Sequence, residues 1–282
     1  MAETCAPLVS GEELAAHLAD PDWRIFDCRH LLTDVTHGER AYAEGHLPGA
    51  VFMSLDRDLS GPRNGKNGRH PLPDPEALAA KLAAAGVNER TCVVAYDDDS
   101  GMNAARLWWL LRWMGHDRVA VLDGGIRAWI GEERPVTTDL PVFIAAKFDI
   151  HMRDDWVVSA DQVLDALAKN DFCLIDARAA DRFRGENEGM DPVGGHIPGA
   201  RHRFFRDNLD ASGKFLPAEE LRRRLLDVLA GAEPERAVMY CGSGVSACHN
   251  LLAMELAGLP GARLYAGSWS EWCADPNRPV AR

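Results

Sequence analysis

LVSGEELAAHLADPDWRIFDCR (residues 8–29) and VVSADQVLDALAKNDFCLIDAR (157–178) are two versions of one pattern, with Asp27 and Arg29 matched by Asp176 and Arg178. The likeness continues outward from this pair. GHLPGA (45–50) recurs as GHIPGA (195–200), VVAYDDDSG (93–101) aligns with VMYCGSGVS (238–246), and LDGGIRAW (122–129) aligns with YAGSWSEW (265–272). The offset drifts only from 150 to 143 residues while the order is kept. A self-similarity of domain size means two copies of one fold, and 282 residues are enough for two cores. The expected division is a first domain over 1–136, a linker over 137–156 and a second domain over 157–282. GEERPVTTDLP, from Gly131, brings prolines and charge without helical period.

Each half alternates short apolar runs with helical patterns. A helix near 10–19 precedes the strand RIFD (24–27), and the strand VVAY (93–96) precedes the helix NAARLWWLLRWMG (103–115). The strand VAVLDG (119–124) follows. Strands separated by helices predict an α/β fold, a mostly parallel sheet flanked by helices in each half. In such sheets ligands bind beyond the carboxyl ends of the strands.

One residue stands at such an end. AVMY (237–240) is a short β-favouring run, and ACHNLLAMELAG (247–258) carries Leu251, Leu252, Met254 and Leu256 at helical spacing, so Cys241 falls at a strand-to-helix turn. Gly242 and Gly244 allow the backbone to curl with its N–H groups inward, and the helix N-terminus adds partial positive charge; both favour a thiolate. A lone cysteine is more commonly a small buried hydrophobe, but the Gly-Ser-Gly flank points to function. Cys248, inside the helix, is expected to be packed, and His249 to lie on the helix surface.

Composition bounds the rest. Apolar residues make up 46% and charged residues 26%, an ordinary globular balance. No apolar stretch is long enough to span a bilayer, since Arg112 interrupts WWLLRWM. The first residues, MAETCAPLVSGEE, carry no secretory or import pattern, so a cytoplasmic address and a reducing environment are expected. The seven cysteines are then expected to be free thiols; their odd number and the lack of a CxxC pair argue against structural zinc. A net charge of −12 opposes nucleic-acid binding.

Together DAR…RFRG (176–185), GHIPGA, the CGSGVSAC loop and GSWSEW (267–272) resemble the two-domain rhodanese-type sulfurtransferases over essentially the whole chain, and the loop most resembles that of the 3-mercaptopyruvate enzymes. The resemblance implies a catalytic second domain and a first domain that keeps the fold without the cysteine, with Asp97 at the lost position in an acidic run. It implies that Cys241 takes a sulfane sulfur from a donor as a persulfide and passes it to cyanide, a small thiol or thioredoxin, with no metal or organic cofactor. Amides of Gly242, Gly244, Val245 and Ser246 would hold the anion.

Thiosulfate enzymes of this family carry basic residues directly after the cysteine. Gly242 and Ser243 stand there instead, which suits 3-mercaptopyruvate, with thiosulfate the alternative donor. By the same resemblance Arg182 would clamp the donor's carboxylate, and Ser243 and His46 would belong to a proton relay, with Asp34 a candidate for its acidic member. His46 and His196 occupy equivalent repeat positions, so a structural role in the turn also explains both. The mercaptopyruvate enzymes commonly carry a second arginine between the positions of Gly185 and His196; this chain reads ENEGMDPVGG there, leaving Arg201 or Arg203 to compensate. Trp269 and Trp272 are expected in core and rim packing. Ser246 and Ala247 stand where a cysteine phosphatase needs arginine, and Ser243 lacks the glycine two residues earlier that a serine nucleophile elbow requires. A non-catalytic binding module is the alternative of another class, and monomer is the default state.

Overall fold

The computed structural model describes residues 5–98, 100–169 and 171–282; the first four residues of the N-terminal reading, and Asp99 of the acidic run, lie outside them. The chain forms two compact units. One comprises residues up to Gly61, Pro73–Arg153 and Ala211–Lys214, and the other Pro62–Leu72, Asp154–Asp210 and Phe215–Arg282.

The first unit runs β1 (Leu8–Val9), α1 (Gly11–Ala16), β2 (Trp23–Asp27), α2 (His37–Glu44), β3 (Ala50–Phe52), α3 (Pro75–Ala84), β4 (Cys92–Tyr96), α4 (Met102–Trp113), β5 (Val119–Leu122) and α5 (Gly125–Gly131). Its five strands are all parallel, in the order β1-β5-β4-β2-β3. β4 and β5 are buried at every residue, as strands covered on both faces must be. The Ser10 hydroxyl accepts the Glu13 amide to start α1, and the Asp74 carboxylate with Pro75 starts α3. Leu14, Leu47, Val94, Tyr96, Leu122 and Trp129 lie in its core.

The second unit repeats the plan with α6 (Ala160–Lys169), β6 (Cys173–Asp176), α7 (Ala180–Phe183), β7 (Arg201–His202), α8 (Ala218–Leu229), β8 (Ala237–Tyr240), α9 (Ser246–Leu256), β9 (Arg263–Leu264) and α10 (Ser268–Trp272). Its sheet is parallel in the order β7-β6-β8-β9, and a parallel bridge from Val157 to Leu264 stands where β1 stands in the first unit. The expected α/β class, two tandem domains each with a parallel sheet flanked by helices, is what the chain forms.

The repeat extends to buried charge. The Arg29 guanidinium donates to Asp27 at 2.6 Å and to the Gly45 carbonyl at 2.7 Å; Arg178 does the same with Asp176 at 2.6 Å and Gly195 at 2.7 Å. Strand register refines the alignment by one residue. Tyr96 pairs opposite Asp27 as Tyr240 pairs opposite Asp176, so Tyr96 matches Tyr240, and Asp97 matches Cys241.

One expectation needs correction. Cys5 and Cys92 form a disulfide across 87 residues of sequence, so not all seven cysteines are free thiols; Cys5, shortly before β1, and Cys92, the first residue of β4, have their Cα atoms 6.4 Å apart. The stretch after α5 makes backbone hydrogen bonds within the first unit, Thr137 with His46, Ala146 with Ala83 and His151 with Met114. Among the described residues no helix is long and apolar enough to cross a membrane.

Candidate active site

Cys241 follows the last residue of β8, and α9 begins at Ser246 with Val245 at its N-cap. Its side chain is buried, and the Gly244 amide donates to its Sγ at 3.2 Å. Gly244 is in the left-handed region at φ 78°, where a Cβ would collide with the Ala266 carbonyl, so only glycine makes this turn without strain. Behind the cysteine, the amides of Trp269 and Ser270 in α10 donate to the Cys241 and Gly242 carbonyls at 2.9 and 3.0 Å. The Ser268 hydroxyl accepts the Cys241 amide at 3.1 Å. The loop is thus clamped from the α10 side while the Gly244 amide faces the sulfur.

The matching turn of the first unit is closed. The Asp97 carboxylate accepts the amides of Gly101, Asn103 and Ala104 at 2.9, 2.7 and 3.2 Å, so its own side chain satisfies the N–H groups at the start of α4. Burial pushes its carboxyl up to about 6 even against those three bonds.

Ser243 is buried, and its Oγ lies 2.8 Å from Nδ1 of the buried His70. His70 escaped the sequence reading. It comes from 62–72, a segment of the first half that belongs to the second unit. The signal was the drift of the repeat: the offset is 150 from His46 to His196 but 144 from Tyr96 to Tyr240, so the first half carries six additional residues between these points.

His46 has other surroundings. It is stacked on Tyr42 at 3.9 Å, with Nδ1 2.7 Å from the Tyr42 carbonyl and Nε2 3.1 Å from that of Asp139. His196 repeats this, stacked on Phe183 at 3.8 Å with Nδ1 2.8 Å from the Phe183 carbonyl. The two histidines thus secure equivalent turns. Asp34 is held by Arg40 and Thr36, which keep its carboxyl well below the usual range.

Arg182 lies beside the loop. Its Nη2 donates to Glu188 at 2.9 Å and to Asp191 at 3.0 Å, and its Nη1 is 3.4 Å from where a Cβ on Gly242 would stand. ENEGMDPVGG, which lacks an arginine, instead supplies these two carboxylates. Asp191 also pairs with Arg69, whose Nη2 is 2.8 Å from the same Gly242 position. Arg201 and Arg203 are committed elsewhere, Arg201 to the Val228 carbonyl at 2.7 Å and Arg203 to Asn208 at 2.8 Å and the Asp207 carbonyl at 3.0 Å.

His249 is fully buried, against the expectation of a surface position. α9 is enclosed on all sides from Ala247 to Met254, and the ring stacks on Phe215 at 4.5 Å with Asn208 3.2 Å from its Nδ1. The Cys248 thiol donates to the Gly244 carbonyl at 3.3 Å, one turn back along the helix. Trp269 and Trp272 are fully buried, their indole N–H groups donating to Val193 and Pro279 carbonyls.

A thiol at the carboxyl end of a central parallel strand, facing a backbone amide of the turn in one of two duplicated α/β units, is the arrangement of the rhodanese fold. The Rhodanese-like domain family matches residues 10–132 and 159–275, and the chain belongs to that family. It is 49% identical over 98% of both chains to a Pseudomonas aeruginosa protein named as a probable 3-mercaptopyruvate sulfurtransferase. It is 33% identical to the Arabidopsis thaliana thiosulfate/3-mercaptopyruvate sulfurtransferase 2, over 98% of this chain and 87% of that one. The crystal structure of SseA from Escherichia coli, described among 3-mercaptopyruvate sulfotransferases, superimposes with a TM-score of 0.80 at 30% identity, over 94% of this chain and 99% of that one. The expected enzyme class, a sulfurtransferase of two rhodanese-like domains, agrees with these relatives.

Proposed function

We propose that this chain moves a sulfane sulfur from 3-mercaptopyruvate to a thiol, thioredoxin or cyanide through a persulfide on Cys241, as a monomer in the cytoplasm. The observation that carries the choice of donor is the Ser243–His70 pair, 2.8 Å apart beside a loop whose positions 242–246 hold no basic residue. Transfer from 3-mercaptopyruvate breaks a carbon–sulfur bond, and the electron pair left on carbon must receive a proton. Transfer from thiosulfate leaves sulfite and needs no such delivery.

The Cys241 thiolate attacks the donor sulfur and forms the S–S bond as the C–S bond breaks. The enolate left behind takes the proton that the donor thiol gives up and leaves as pyruvate. That proton passes through the Ser243 hydroxyl and the His70 imidazole. The persulfide anion remains, supported by the Gly244 amide and the N-terminus of α9. An acceptor nucleophile then attacks the outer sulfur, and Cys241 departs as thiolate.

Turnover with 3-mercaptopyruvate and with thiosulfate, using one cyanide acceptor and a Cys241→Ser control, tests this directly. A preference for 3-mercaptopyruvate that vanishes in the control is expected. Thiosulfate preference overturns the donor assignment while keeping the persulfide, and undiminished turnover by Cys241→Ser overturns the persulfide.

A further inference from the structure

We propose that Arg69 is the second cationic anchor for the donor's carboxylate, acting with Arg182 in the place left without an arginine between Gly185 and His196. This rests on the reading of the donor as a 2-oxo acid.

The backbone of Arg69 is fixed relative to the cysteine. Its amide donates to Ser270 Oγ at 3.0 Å, and the Ser270 amide donates in turn to the Gly242 carbonyl at 3.0 Å. Gly68 takes φ 82°, where a Cβ would stand 2.7 Å from the Gly267 carbonyl oxygen. This close approach lets the segment lie against the start of α10. The 62–72 segment, α10 and the cysteine loop thus form one hydrogen-bonded stack.

The side chain divides its donors. Nη1 pairs with Asp191, Nε is buried without a hydrogen-bond partner among the described residues, and Nη2 is directed at the space over Gly242. Arg182 is arranged the same way, with Nη2 on Glu188 and Asp191 and Nη1 toward that space. The two acids behind them are 6% and 3% exposed, while the two arginine side chains are 16% and 22% exposed, so a small solute can reach the guanidinium edges but not the acids. A carboxylate has about four lone-pair sites, enough to accept from both forks at once.

The charge balance also bears on the donor. Glu188 and Asp191 formally offset the two guanidinium groups, so this corner offers directed donors without a large excess of positive charge. A monoanionic carboxylate can be recognised by direction, whereas a dianion gains less here than in a strongly basic pocket. The pre-set geometry means that little side-chain freedom is lost on binding.

The test compares the intact wild-type chain, Arg69→Ala and Arg69→Lys with 3-mercaptopyruvate and with its methyl ester, which lacks the carboxylate charge. Arg69→Ala is expected to raise KM for the acid about 10- to 100-fold, as for loss of a charge-assisted hydrogen bond, with kcat changed less than about threefold. With the ester, the wild-type and variant values of kcat/KM should converge, and added guanidinium ion should restore part of the loss with the acid. Equal losses with acid and ester would mean that Arg69 merely supports Asp191, and an unchanged KM for the acid would also overturn the proposal. If Arg69→Ala does not fold, Arg69→Lys carries the same comparison, because it keeps the charge and loses the fork. A wild-type chain inactive with 3-mercaptopyruvate but active with thiosulfate would reject the underlying donor reading. An active wild type with an indifferent Arg69 variant would reject only the anchor.

Discussion

At the scale of single residues, the contrast between Cys241 and Asp97 explains why one repeat is chemically open and the other closed. Both follow the tyrosine that ends the central strand, and both are buried at the turn before a helix. The carboxylate takes up three amide donors that an external anion would need, while the sulfur meets the Gly244 amide. A pH effect follows from Asp97. Its carboxyl is raised to about 6, chiefly by burial, so the folded state holds the proton more tightly than the unfolded state. That contribution to stability is complete below the ordinary carboxyl range and is lost as pH rises through about 6. Relative to Asp97→Asn, the wild type is therefore expected to lose on the order of 3 kcal/mol between about pH 3.5 and pH 7. Urea unfolding of both proteins across that range checks the sign and size. On the catalytic side, Ser243→Ala and His70→Gln are each expected to slow 3-mercaptopyruvate turnover about 100-fold or more while leaving thiosulfate turnover within a few fold, the range general acid–base assistance supplies. Parallel losses with both donors would remove the proton relay.

At the scale of elements, the site is made where four pieces meet: the end of β8, the start of α9, the start of α10 and the 62–72 segment. α10 spans only Ser268–Trp272, yet its first amides orient the carbonyls of Cys241 and Gly242. Gly244 is the point at which this assembly tolerates least change, because its positive φ and the Ala266 carbonyl exclude a side chain together. Gly244→Ala is expected to destabilise the chain by about 1–3 kcal/mol and to reduce the rate of Cys241 alkylation by iodoacetamide, since the amide that faces the sulfur must move. Thermal melting and alkylation kinetics measure these separately, and an unchanged alkylation rate would argue that the amide does not govern the thiolate.

At the scale of the whole molecule, each unit carries a buried Asp–Arg pair that ties the end of a strand to the glycine that opens GH(L/I)PGA. Arg178 and Asp176 are 2% and 0% exposed, so Arg178→Met is expected to cost about 3–5 kcal/mol by leaving a buried carboxylate unpaired, read from denaturant unfolding. Sequence alone determined the duplication, the parallel α/β class and the cysteine at a strand end, because hydrophobic periodicity, glycine placement and repeated motifs are local properties of the chain. The family resemblance also marked Asp97 as the residue in the cysteine's place and named Arg182 as the donor's clamp. His70 and Arg69 were not legible in this way. Both lie between His46 and Tyr96, where the first half is six residues longer than the second, in the 62–72 segment that belongs with the second unit. The burial of His249 was likewise hidden, since helical spacing does not reveal that α9 is covered on every side. Long-range approach therefore decided which histidine meets Ser243, which arginine joins Arg182, and which cysteines pair. These contacts depend on where a loop of variable length is laid down by packing, and no local pattern in the sequence records that.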